Sequence, residues 1–203
     1  AVEARAELAE VEAGADPLAA AEHEAADAGE RVEALSAELS AAREAAAEPF
    51  SDAVAAELQG LGMGDGEFQV QLTGREPGPV GSDGVSFLVR PNAGLPFAPA
   101  AETASGGELS RIALALRAVA HASAGEPTVV FDEIDAGIGG RTANAVGTAL
   151  QRLAGSAQIL TITQLPQIAS PADAPFVVEK VPGDPTHTAI ARLDEEARRA
   201  ELE

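Results

Sequence analysis

The sequence predicts an α/β lobe preceded by a helical coiled-coil arm, and three observations carry that expectation. Residues 1–48 hold a heptad-spaced apolar column in an Ala- and Glu-rich background. Two later runs, residues 68–72 and 85–89, alternate apolar and polar side chains with the period of strands. Beyond Pro99 the pattern runs loop, helix, apolar strand, helix, apolar strand, the order of an α/β layer. A chain of 203 residues accommodates one such domain and an appendage, and 46% hydrophobic residues can fill its core.

The arm comes first. Ala4, Val11, Leu18, Ala25, Val32, Leu39 and Ala46 recur every seven residues, flanked by a second column at Leu8 and Ala15 and then at Ala21, Ala28, Leu35 and Ala42. A helix presents such a seam to a partner helix and leaves the intervening glutamates in solvent. Gly14-Ala15-Asp16-Pro17 interrupts the seam, because proline cannot donate a helical hydrogen bond and Asp16 before Pro17 suits an N-cap and first turn. The expected organisation is an arm segment over residues 1–60, with a break near 14–17, and the α/β lobe over residues 61–203. Pro49 and Gly60-Leu61-Gly62 punctuate the change of period. Phe68, Val70 and Leu72 make one strand and Val85, Phe87 and Val89 the next, with Gly74 to Gly84 as the loop between them. The opening at Ala1 inside one helical pattern and the close at Glu203 inside another read as part of a larger protein.

The formal charge of −20 excludes a surface that simply wraps nucleic acid, which needs clustered Lys and Arg. Residues 1–60 hold 15 acids against 3 bases, so more than half of the imbalance belongs to the arm. Without cysteine there is no disulfide scaffold and no thiol chemistry, and three scattered histidines, His23, His121 and His187, make no metal cage. No apolar run approaches the ~18 residues of a membrane span, and a cytoplasmic protein is the default expectation.

Chemistry concentrates after Thr103. Ser105-Gly106-Gly107-Glu108 opens a helix whose apolar positions Leu109, Ile112, Leu116 and Val119 follow helical spacing. Two glycines before a helix leave backbone N–H groups open at its partly positive end, which suits a phosphate, although read alone the motif is an ordinary cap. Thr128 to Phe131 is a short β-prone run fit for a buried parallel strand, and it ends in Asp132-Glu133. Open α/β sheets bind ligands at that end of a strand, where one carboxylate can hold Mg²⁺ and the next can orient a water. Asp135-Ala136-Gly137-Ile138-Gly139-Gly140-Arg141 follows, then a helix, then Ile159 to Thr163 leading into Gln164-Leu165-Pro166-Gln167.

This order, Ser-Gly-Gly-Glu, strand and Asp-Glu, Asp-loop, strand and Gln, resembles the C-terminal half of an ATP-binding-cassette ATPase head. Within that superfamily it is most similar to the RecN family of DNA-repair ATPases, relatives of the structural-maintenance-of-chromosomes proteins. Ala104 to Ile112, Phe131 to Thr142, Leu165 to Ala169 and Phe87 to Pro99 carry the resemblance, which is strong over residues 61–190 and only compositional over the arm. It implies that Asp132 is the magnesium carboxylate and Glu133 the residue that polarises the hydrolytic water. It further implies that Ser105, Gly106, Gly107 and Glu108 form a signature that meets ATP held by a second head, with Asp135 on the loop that crosses between heads. ATP and Mg²⁺ are the implied cofactors. The implied partners are the phosphate-loop half of the same head, a second head in a homodimer, and DNA.

Two departures matter. No Gly-x-x-x-x-Gly-Lys-Ser/Thr loop occurs in this sequence, so this chain alone is expected to be inactive. Gln164 stands where the family usually has a switch histidine; an amide can still contact a phosphate oxygen, but it cannot titrate. The expected whole is an ATPase acting in double-strand-break repair. The alternatives are a dimerisation or binding module without catalysis and a transporter-type subunit, which Ile134 after the Asp-Glu pair and the arm disfavour. Arg111, Arg117, Arg141 and Arg152 could face DNA or a partner head, but isolated arginines of this kind read first as solvated surface.

Overall fold

A computed structural model describes residues 17–64, 66–90, 94–120, 128–183 and 185–202. Helix α1 runs Pro17–Gly60, followed by β1 (Glu67–Gly78), β2 (Gly81–Arg90), β3 (Ala98–Pro99) and α2 (Ala100–Thr103). Next come α3 (Gly106–Ala120), β4 (Val129–Phe131), α4 (Gly140–Ala154), β5 (Ile159–Thr161) and α5 (Pro166–Ala169). Strands β6 (Phe176–Val181) and β7 (His187–Arg192) and helix α6 (Glu195–Leu202) close the chain. Pro17 opens α1 as a first-turn proline, while the rest of the expected break, residues 14–16, and the seam positions before it lie outside the described residues.

Pro49 does not end the helix as the sequence suggests, since α1 continues through it to Gly60. Proline removes one helical hydrogen bond, but Ser51, Val54 and Leu58 just beyond it are buried, and that packing holds the helical path. The connection expected over Gly74 to Gly84 is also shorter than the sequence suggests. Strands β1 and β2 extend into it and leave only Pro79 and Val80 as the turn. Gly81 makes that turn possible, with φ +87 and no room for a side-chain carbon, which would come within 2.8 Å of Leu39.

The described chain divides into two compact units. One holds α1 up to Ala47 with the hairpin residues Leu72–Val85. Within it Arg43 donates to the Asp83 carboxylate at 3.0 Å and to the Val80 carbonyl at 2.8 Å, and Ser40 Oγ donates to Asp83 at 2.8 Å. The Arg43 guanidinium and then the Ser40 hydroxyl hold the Asp83 carboxyl below the usual carboxylate range. Further along this helix the seam residues Leu18, Val32 and Leu35 are exposed, Leu35 by 61%.

The second unit, Glu48–Gln71 with the residues from Ser86 onward, holds the core. Val54 and Leu58 of α1, Phe68 of β1 and Val89 of β2 pack with Ile112, Leu114 and Ala115 of α3. Ala143, Val146, Ala149, Leu150 and Leu153 give α4 one apolar face at helical spacing, completed by Phe131, Ile134 and Ile168. Strands β4 and β5 pair in parallel, Val129 with Ile159 and Phe131 with Thr161, so β4-α4-β5 is the expected βαβ unit. Among the described residues only one face of this pair is covered. Phe131 is buried, whereas the paired Val130 and Leu160 are 60% and 50% exposed and Ile162 61%, so the strand expected to be buried is half open. Strands β6 and β7 form a separate antiparallel pair with Val178 opposite Ile190.

Leu58→Ala should destabilise the chain by about 2–5 kcal/mol in urea unfolding, through lost transfer energy and a residual cavity. Leu35→Ala should cost less than about 0.5 kcal/mol, as for other exposed positions. Equal costs would contradict the burial described here.

Candidate active site

The site grows from the end of β4. Phe131 is buried and so is Ile134, at 0% exposure, and between these two apolar pegs Asp132 and Glu133 are left facing solvent. Asp132 Oδ1 accepts the Glu133 N–H at 2.9 Å. Glu133 has φ +56, a left-handed backbone conformation that costs a non-glycine residue about 1–3 kcal/mol and concentrates at functional sites. The loop then turns, with the Ala136 N–H donating to the Glu133 carbonyl at 3.0 Å and the Ile138 N–H to the Asp135 carbonyl at 3.3 Å.

The start of α3 is a capping box. Glu108 Oε2 accepts from the Ser105 N–H at 2.8 Å and from Ser105 Oγ at 2.7 Å, while Ser105 Oγ faces the Glu108 N–H at 3.4 Å. The Ser105 hydroxyl first, and then its backbone N–H, hold the Glu108 carboxyl below its ordinary value. The Ser-x-x-Glu spacing was the signal in the sequence for this geometry.

These two pieces touch through glycine. A side-chain carbon at Gly107 would come within 2.8 Å of both Ala136 Cβ and the Glu133 carbonyl, and one at Gly106 within 2.7 Å of Glu133 Oε2. The absent side chains let the first turn of α3 lie against the acid loop. Ser110 Oγ donates to the Asp132 carbonyl at 2.6 Å, and Arg111 Nη1 donates to the carbonyls of Ile134 at 3.2 Å and Ala136 at 3.1 Å. Arg111 is therefore not the surface residue its charge suggests, being only 5% exposed. Burial pushes its guanidinium below its usual value, against the pull of the Glu108 carboxylate. Helical spacing from buried Gly107 through Arg111 to Leu114 and Ala115 marks it as facing inward.

Asp135 joins the same loop to the end of β5. Its Oδ2 accepts from Thr163 Oγ1 and from the Gln164 N–H, both at 2.7 Å, and Thr163 Oγ1 accepts from the Leu165 N–H at 3.0 Å. Burial raises the carboxyl's pKa, but the hydrogen bonds from Thr163 and the Gln164 backbone outweigh it and the net shift is downward. Ser105, Gly106, Gly107, Glu108, Asp132, Glu133, Asp135 and Gln164 thus belong to one continuous bonded region; Gln164 enters it through its backbone, with an exposed side chain. Ser110, Arg111 and Thr163 are the members that sequence reasoning missed.

His23 and His187 are exposed and distant in sequence from this region, and His121 lies outside the described residues. Among the described residues no three His, Asp or Glu side chains converge to cage a cation. The two exposed carboxylates at this strand end, Asp132 and Glu133, form a donor set that would suit a largely hydrated Mg²⁺ ion rather than an all-protein cage.

No family profile matches the chain. It is 42% identical over 178 residues to the DNA repair protein RecN of Streptomyces coelicolor, covering 81% of this chain and 31% of that protein. With the DNA repair protein RecN of Treponema pallidum it shares 44% identity over 172 residues, covering 81% and 30%. With that of Mycobacterium tuberculosis it shares 36% over 221 residues, covering 98% and 38%. The chain spans about a third of the length of the curated relatives it matches. Among solved structures, the Smc head domain with a coiled coil and joint from Pyrococcus yayanosii aligns at a TM-score of 0.54 and 23% identity, over 76% of this chain and 28% of that one. The Smc head domain with an extended coiled coil from Pyrococcus furiosus, bound to the C-terminal domain of ScpA, aligns at 0.54 and 24%, over 76% and 37%. At these identities the likeness concerns the fold.

Because the folded pKa values of Asp135 and Glu108 are depressed, their stabilisation is present above the unfolded value, about 4, and is lost as pH falls through the folded values. Asp135→Asn should cost on the order of 1 kcal/mol at pH 7, allowing for solvent screening. Its stability should also fall less steeply than the parent's below about pH 4. Urea unfolding from pH 7 to pH 3 checks both, and parallel curves would contradict the bonding assigned to Asp135.

Proposed function

Because this chain is RecN-like and has the fold of an Smc-type head, we propose that it is the signature-bearing part of an ATPase head, completed by a phosphate-loop lobe outside this sequence. The observation that carries the proposal is the bonded convergence of Ser105 to Glu108, the acid pair Asp132 and Glu133, and the Asp135–Gln164 link on one loop. Phosphoryl transfer is mostly positioning and electrostatic stabilisation, so a protein can divide the required groups between lobes and between subunits.

In this reading Asp132 and the phosphates would share a Mg²⁺ ion, which supplies charge neutralisation on the phosphate oxygens. Glu133, exposed beside Asp132, orients and polarises the attacking water. The open N–H groups of Gly106 and Gly107 at the α3 terminus donate to a terminal phosphate presented by a second head, and the Ser105 hydroxyl, which donates to Glu108 Oε2 in the described structure, turns from it to join them. Gln164 hydrogen-bonds the phosphate or the water without changing charge, which favours binding over fast turnover.

The open sheet face supports a missing lobe. Parallel sheets are normally covered on both sides, and Val130, Leu160 and Ile162 form an apolar strip on the uncovered one. The phosphate-loop lobe buries that strip. The exposed seam positions Leu18, Val32 and Leu35 of α1 support an arm that pairs with an antiparallel helix within the expected segment 1–60, whose last residues, Val54 and Leu58 among them, are buried in the head core. The relatives are DNA repair proteins, and the whole molecule is accordingly assigned ATP-dependent head pairing coupled to holding DNA ends in double-strand-break repair. With a chain charge of −20, its DNA contacts fall on the other lobe or on a small arginine-lined face of the paired heads.

In the complete protein, Glu133→Gln should leave ATP binding nearly intact, lower hydrolysis by roughly 100-fold or more and accumulate paired heads. Hydrolysis at the parent rate would reject the role given to Glu133. Ser105→Arg should abolish ATP-dependent pairing in sedimentation, by bulk and charge at the α3 terminus; unchanged pairing would reject the signature role.

A further inference from the structure

Three carbonyl oxygens of the acid loop, those of Asp132, Ile134 and Ala136, all receive their donors from two adjacent residues of α3. Ser110 serves the first and Arg111 the other two. The loop has few alternatives, because its own turn bonds use different carbonyls, those of Glu133 and Asp135. Arg111 is buried, and its Nε has no hydrogen-bond partner among the described residues. A buried guanidinium that leaves a donor unused is expensive, and it meets backbone carbonyls rather than a carboxylate. Core packing alone would be served better by Leu or Met. On the far side of the loop, Asp135 carries the connection to Thr163 and Gln164.

We propose that Ser110 and Arg111 are positioning residues that lock the first turns of α3 to the acid loop, so that a phosphate engaged at Ser105–Gly107 moves Glu133 and Asp135 as part of the same body. The inference rests on the ATPase reading above and deepens it. In a pair of heads each α3 terminus serves the partner's nucleotide, while each Glu133 serves its own. A rigid link between the two transmits engagement at one composite site directly to the acid of the other. The left-handed backbone at Glu133 lies inside the braced stretch, and the three carbonyl bonds hold it there. The predicted consequence is cooperativity between two ATP sites that depends on residues touching neither nucleotide.

The test compares Arg111→Met, Arg111→Lys and Ser110→Ala by hydrogen exchange in this chain and by ATP kinetics in the complete protein. Arg111→Met should speed amide exchange over residues 133–138, whose turn bonds the brace supports, while α4 keeps its protection. In the complete protein it should leave KM within roughly twofold, lower kcat by roughly 10- to 100-fold, and reduce the Hill coefficient from about 2 towards 1. Arg111→Lys, able to reach one carbonyl, should recover part of both effects, and Ser110→Ala should show a smaller version of them. If Arg111→Met fails to fold, these two variants decide. Parent exchange together with parent kcat and cooperativity in the folded variants overturns the brace, as does a parent enzyme without cooperativity. Glu133→Gln separates the two ideas: full hydrolysis in that variant defeats the ATPase reading, whereas a dead Glu133→Gln beside a neutral Arg111→Met defeats only the brace.

Discussion

Everything in the candidate site depends on how the carbonyls of Asp132, Ile134 and Ala136 are satisfied. A loop that leaves a strand and exposes two carboxylates cannot use ladder hydrogen bonds, and its polar backbone must find donors elsewhere. Helix α3 supplies them from Ser110 and Arg111. That requirement explains why glycines open the helix, since a side chain at Gly107 would push α3 off the loop backbone and one at Gly106 would displace the Glu133 carboxylate. It also explains Ile134, whose fully buried side chain pins the loop while Arg111 bonds its carbonyls. The acid pair is presented by packing and backbone bonding, not by a cluster of charges.

Much of this arrangement was legible in the sequence, and what was not has specific causes. The βαβ order and the acid pair at a strand end are local signals that occupy the elements expected, and the glycines expected just before a helix form its first turn instead. Arg111 was misread because charge alone suggests solvent, although its helical phase with Gly107 and Leu114 points inward. Pro49 was read as punctuation because propensity is local, whereas the burial of Val54 and Leu58 that overrides it is tertiary. Proline and glycine likewise suggested a long loop where strand pairing reaches Gly78 and resumes at Gly81. The link from Asp135 to Thr163 spans 28 residues and has no local signature.

Charge and exposure fit a protein whose functional parts are divided. The −20 charge is concentrated toward the helical arm, while the α/β unit carries an open apolar sheet face and a donor-rich helix terminus. An uncovered face at Val130, Leu160 and Ile162 suits another layer. The left-handed Glu133 and the capped Ser105 are both held by bonds within this chain.

The most direct measurement is reconstitution of magnesium-dependent ATP hydrolysis from this chain and a separately produced phosphate-loop half of the same protein. The account predicts that neither part hydrolyses ATP alone, and that mixing them yields a complex with hydrolysis approaching that of the complete protein. Hydrolysis by this chain alone at the rate of the mixture would contradict it, as would a stable complex that stays inert while the complete protein is active.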